Sequence, residues 1–67
     1  MDIMHPDIIG EKLKKLRGNR TRAEVANALD ISQSALAMYE DGQRIPRDNI
    51  KIRIANFYAV SISDLFF

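Results

Sequence analysis

Apolar residues recur along this chain at helical spacing, in short runs separated by polar capping residues. Ile9, Leu13 and Leu16 follow one another at intervals of four and three, the stripe of an amphipathic helix. Pro6 suits a first helical turn, Asp7 places negative charge near the helix start, and Gly18 with Asn19 stops it. A first helix is therefore expected over about residues 7–17. Thr21 followed by Glu24 is a capping box, which opens a second helix from about Arg22 to Leu29. Asp30 stands where the chain must turn. Ser32 then caps a third helix over about 33–40, closed by Asp41 and Gly42. Pro46 keeps the following loop extended and biases Ile45 away from helical angles. Beyond it the pattern is ambiguous. Ile50, Ile52 and Ile54 alternate as a strand does, whereas Ile50, Ile54, Phe57 and Tyr58 share a helix face. The length of the segment and the lack of a partner strand favour a helix over about 48–58, capped by Asp48. Ser61 and Asp64 repeat the capping-box pattern ahead of a last turn over about 62–66. The expectation is an all-α fold of five short helices around one core. Residues 1–6 read as a flexible tail and residues 7–67 as the domain.

The stretch from Arg22 to Tyr39 carries the most information. Val25, Leu29, Ile31, Leu36 and Tyr39 are its apolar positions, and the small Ala26 lets two helices cross closely. The third helix is almost free of charge and offers a short polar face outward. This is the architecture that inserts a helix into the DNA major groove. The charge distribution fits it better than the net charge of +1 does. Lys12, Lys14, Lys15, Arg17, Arg20 and Arg22 precede the motif, and Arg44, Arg47, Lys51 and Arg53 follow it. No Lys or Arg occurs from residue 23 to 43. Basic flanks around a neutral centre suit phosphate contacts around a base-reading surface, although the same residues also solvate exposed helix faces.

Composition narrows the remaining classes. With 67 residues the chain suffices for one domain with a thin core. It has no cysteine, so disulfides and thiolate metal sites are excluded. His5, the sole histidine, has no second ligand at metal-binding spacing, and no metal or cofactor is expected. No apolar run approaches the ~20 residues of a membrane helix, and no signal-peptide pattern opens the chain. A cytoplasmic protein without membrane contact is expected. Catalysis needs convergent titratable groups in a pocket. Here the nine carboxylates are scattered and no Gly-rich phosphate loop is present, so the expectation is that the chain is not an enzyme and takes no small-molecule substrate.

The block IGEKLKKLRGNRTRAEVANALDISQSALAMYEDGQRIP resembles the lambda-repressor-like, Cro-type helix-turn-helix regulators, and RDNIKIRIANFYAVSISDLFF resembles the fourth and fifth helices of that domain. The resemblance implies that residues 33–40 form the recognition helix, with Gln33 at its first turn in a base-reading position. A glutamine amide bonds bidentately to adenine N6 and N7. Ser34 is placed to meet a base edge or phosphate, and Ala37 and Met38 to meet thymine methyls; Met38 also fits as a partly buried gap-filler. The resemblance further implies phosphate contacts from Arg44 and from Arg22, which replaces the family's usual glutamine; Arg20, Ser32 and Lys51 are additional phosphate candidates. It implies that Arg17 bonds Glu40, fixing the third helix against the first. Family members usually carry glycine where this chain has Asp30, and the turn between the first two helices is two residues shorter than in many of them.

The expected function is sequence-specific binding of double-stranded DNA by a transcription regulator. One recognition helix makes few base contacts, so a homodimer on a palindromic operator is expected, with half-sites about 34 Å apart. The fourth and fifth helices are the expected dimer surface. The chain-end aromatics Phe66 and Phe67 belong to it, Phe66 turned to the core and Phe67 to the partner. With no room in 67 residues for a ligand-binding or protease-like domain, the expectation is a Cro-like small repressor, or the DNA-binding half of a system whose sensing lies elsewhere. The alternative from another class is an antitoxin or protein-interaction adaptor on the same fold.

Overall fold

A computed structural model describes residues 5–67 of the chain. Its helices are α1 (Pro6–Arg17), α2 (Arg22–Leu29), α3 (Gln33–Glu40), α4 (Asp48–Tyr58) and α5 (Ile62–Phe66). No strand occurs among the described residues. Pro6 is already helical, so α1 starts one residue earlier than its sequence pattern indicates, with His5 at the N-cap; residues 1–4 of the expected tail lie outside the described residues.

Local chemistry accounts for each boundary. At α2 both bonds of the capping box form: the Glu24 amide donates to Thr21 Oγ1, and the Thr21 amide to Glu24 Oε1, each at 3.0 Å. These bonds hold the Glu24 carboxyl below the usual carboxylate range. Ser32 and Ser61 cap α3 and α5 by accepting from the amides of Ala35 and Asp64. Asp48 does not cap α4. Arg47 holds the N-cap position, and Asp48 lies in the first turn, where its charge complements the helix dipole and pairs with Lys51 at 3.5 Å.

α2 and α4 end alike. Asp30 (φ 58°, ψ 46°) and Ala59 (φ 56°, ψ 44°) are both left-handed. The amides of Ile31 and Val60 then reach back to the carbonyls of Ala26 and Ala55, each at 3.0 Å. This pattern satisfies carbonyls a helix end leaves orphaned, and it favours glycine at the left-handed position.

The core is built from Ile9, Leu13, Val25, Leu29, Leu36, Tyr39, Ile54, Leu65 and Phe66, all buried. Truncating a side chain such as Leu36 in a core of this kind costs about 2–5 kcal/mol. Phe66 is 1 % exposed and belongs to this core, so it is not available to a dimer surface; Phe67 is 63 % exposed. The inward stripe of α4 is Lys51, Ile54, Ala55 and half-buried Tyr58, which rotates Phe57 and Ile52 outward. Phe57 therefore departs from the apolar face its spacing indicates.

The close approach of α1 to the end of α3 depends on Gly10. A β-carbon there would overlap the carbonyl oxygen of Glu40 and sit 3.1 Å from that of Tyr39. Because these are backbone atoms of a helix, neither yields as a flexible side chain would.

Gly10→Ala is expected to lower stability by about 1–3 kcal/mol in urea unfolding, although alanine has the higher helix propensity. Asp30→Gly and Ala59→Gly are expected to raise the melting temperature, the second by more, since alanine tolerates left-handed backbone less well than aspartate; each gain is about 0.5–1 kcal/mol after the entropy cost of glycine. A melting temperature that is unchanged or lower in both variants would refute this account.

Candidate nucleic-acid interface

α3 is pinned along one side and bare at its start. Leu36 and Tyr39 lie in the core, while Gln33 and Ser34 in the first turn are exposed. Ala37 and Met38, farther along, are half-buried. The Ser32 hydroxyl accepts from Ala35 at 3.0 Å, and its own O–H stays free to donate outward. The outward surface is therefore an amide, two hydroxyls and two small or flexible apolar groups, with no fixed charge before Glu40. Such a surface reads donor, acceptor and methyl patterns on base edges without the indiscriminate attraction of a cation.

The turn ahead of α3 is braced from α4. Arg53 Nη1 donates to the Leu29 carbonyl at 3.2 Å and to the Asp30 carbonyl at 3.5 Å. Charge, hydrogen bonding and the left-handed Asp30 together set the direction in which α3 leaves the turn.

At its other end α3 is held by a buried carboxylate. The Glu40 side chain is fully enclosed and accepts from three donors: Arg17 Nε at 2.8 Å, Arg17 Nη2 at 3.1 Å and Arg22 Nε at 2.8 Å. Arg17 brings the end of α1 and Arg22 the start of α2. Arg17 Nη1 also donates to the Arg20 carbonyl at 2.9 Å, closing the α1–α2 turn. The bond to Glu40 holds the Arg17 guanidinium more firmly protonated than usual. Tyr58 packs nearby with a buried hydroxyl that bonds no group among the described residues. Burial first, then the Glu40 charge, pushes its phenol up, against the pull of Arg20 and Arg17.

The cations expected at phosphates divide into two sets. Arg44 is exposed and makes no ion pair among the described residues, as is also true of Arg47. Arg20 is exposed, with its guanidinium 5.4 Å from the Phe57 ring centre and 5.9 Å from that of Tyr58. Lys51 is otherwise placed: it is 6 % exposed, pairs with Asp48 and lies over the Phe66 and Phe67 rings, which removes it from the phosphate set. Arg22 is not a free cation either. Besides Glu40 it bonds Asp41 Oδ1 through Nη2 at 3.3 Å. Sequence reasoning missed this second arginine on Glu40, the bracing by Arg53 and the close approach at Gly10. Only the glycine's small size inside an apolar helix stripe was a visible signal.

Removing one arginine from Glu40 leaves the other, whereas removing both strands a buried charge. Arg17→Met and Arg22→Met are each expected to destabilise modestly. Their combination is expected to cost more than the sum, by analogy with broken buried pairs that cost about 3–5 kcal/mol. A strictly additive double-mutant cycle in urea unfolding would contradict this reading.

Comparison with known proteins bears on the same surface. A helix-turn-helix family model, of the Cro/C1 type, matches residues 12–65. No curated protein matches the chain. Among solved structures, the clp gene regulator ClgR from C. glutamicum superposes with a TM-score of 0.77 at 20 % identity, covering 96 % of this chain and 86 % of that one. At that identity the likeness shows the fold.

Proposed function

The chain belongs to the Cro/C1-type helix-turn-helix family of DNA-binding transcription regulators, and we propose that it represses transcription by binding a palindromic operator as a homodimer. The observation that carries the reading is the exposed, uncharged first turn of α3, with Gln33 and Ser34 projecting beyond a helix otherwise fixed by Leu36, Tyr39 and Glu40. In this reading Gln33 and Ser34 read base edges, and Ala37 and Met38 approach thymine methyls. Arg44, Arg20 and the Ser32 hydroxyl bind phosphate. Occupying a promoter is sufficient for repression, and DNA binding alone accomplishes it.

Support for a dimer comes from the apolar surface on the helices away from α3. Phe67 lines a groove with Ile8 on one side and another with Ile52 and Ile62 on the other. Ile8, Ile52 and Phe67 are each about half exposed or more. An apolar strip of this kind is costly to leave in water and is characteristic of an association surface.

Binding to random duplex DNA at ~50 mM salt, weakening steeply as salt rises, is the expected basic behaviour; its absence would favour the antitoxin or adaptor reading. Selection from a random pool is expected to return a two-fold symmetric motif. Gln33→Ala should then relax preference at one base pair per half-site, while Arg44→Ala should weaken all sequences alike and flatten the salt slope by about 0.9. Phe67→Glu is expected to shift sedimentation to a monomer and to weaken binding to the full palindrome more than to an isolated half-site.

A further inference from the structure

The unexpected feature of the α2–α3 face is that one of its arginines is tied to two acids of different character. Glu40 is enclosed and holds Arg22 by Nε, a structural bond. Asp41 is different. It is the residue just beyond α3, its side chain is 45 % exposed, and it takes the outer nitrogen, Nη2, at a longer 3.3 Å. The Arg22 side chain is itself 36 % exposed. An ion pair this open contributes little to stability. Its worth as a staple is small, yet it neutralises the outward end of a guanidinium on the face that the proposed function gives to DNA.

The surroundings make that neutralisation consequential. The amides of Gln43 and Arg44 both bond back to the Met38 carbonyl, which folds the loop carrying Arg44 against the end of α3. Arg22 and the backbone of Arg44 thus lie at the C-terminal end of α3, with Arg17 held on Glu40 behind them, and Asp41 is an exposed acid there. Phosphate and the Asp41 carboxylate are chemically similar acceptors for Nη2, and a phosphate brought there meets the Asp41 negative charge beside it.

Resting on the DNA-binding reading above, we propose that Asp41 is an internal competitor for DNA phosphate: it holds the outer nitrogen of Arg22 and offsets its charge, so that this cation engages the DNA backbone in full only when the pair opens. Phosphate contacts carry no sequence information, while base-edge contacts do. Asp41 therefore holds down sequence-independent affinity and leaves discrimination to the first turn of α3. It is a positioning residue acting through Arg22. Glu40 keeps the planar guanidinium in place through Nε, so release needs only rotation of the exposed Asp41 side chain away from Nη2.

The test is a salt titration of fluorescently labelled non-cognate duplex DNA with the full chain and the variants Asp41→Asn, Arg22→Gln and the pair combined. Asp41→Asn is expected to tighten binding roughly threefold to tenfold at ~50 mM salt and to steepen the slope of log K against log salt by about 0.9, one added phosphate contact. In the Arg22→Gln background the same substitution is expected to change neither quantity. An Asp41→Asn protein with wild-type affinity and slope overturns the proposal. So does a gain that persists without Arg22, which assigns the effect to the loss of a nearby negative charge. Thermal melts check that each variant folds. Should Arg22→Gln not fold, guanidinium nitrogen resonances of the wild-type protein take its place: Arg22 Nη shifts on adding DNA support release, and unmoved resonances oppose it. If no variant binds DNA at all, the regulator reading falls and this inference with it. Binding that is indifferent to Asp41 sinks the inference alone.

Discussion

The buried carboxylate of Glu40 organises the molecule. It terminates α3 inside the protein, and a charge there without partners would cost several kcal/mol. Arg17 from α1 and Arg22 from α2 meet that requirement from two directions, so three helices converge on one pair of oxygen atoms. Such a network returns little net stability compared with an apolar core. Its value is directional: the distances of 2.8 to 3.1 Å admit few arrangements of the three helix ends. The glycine at position 10 belongs to the same constraint, because it lets the α1 backbone reach the α3 backbone closely enough for Arg17 to bond Glu40.

Both ends of α3 are thereby determined independently. The start is set by a left-handed residue, a serine cap and an arginine from α4 that bonds the preceding carbonyls. The end is set by ionic bonds. Between them Leu36 and Tyr39 anchor the helix in the core. The proposed base-reading role needs this rigidity, since side chains on a helix that rocks cannot match the spacing of base edges. The exposed groups Gln33 and Ser34 are free because every other contact of the helix is spoken for.

Charge is sorted by depth across the molecule. Arg17 and Arg53 are structural, Lys51 is buried against aromatic rings, and Arg44 and Arg47 stand in solvent. A basic count alone does not distinguish these roles. The net charge of +1 therefore does not say how many cations are available to a polyanion.

Local rules determined the helices. Capping serines and the Thr21–Glu24 box, stop residues and the three-and-four spacing of apolar positions act within one turn of chain, so they are legible in a linear string; four of the five helices carry the bounds those rules indicate. The turn-favouring Asp30 was legible for the same reason, and the Arg17–Glu40 bond through resemblance to a family. Tertiary structure alone decided the rest. Arg22 joins Glu40 and Asp41 from 18 and 19 residues away, and Arg53 reaches Leu29 from 24. Which side of α4 faces inward, turning Phe57 out and Lys51 in, depends on how that helix rolls against its neighbours. No local rule encodes these choices, because a long cationic side chain pairs with whichever acceptor the packed helices bring within its reach.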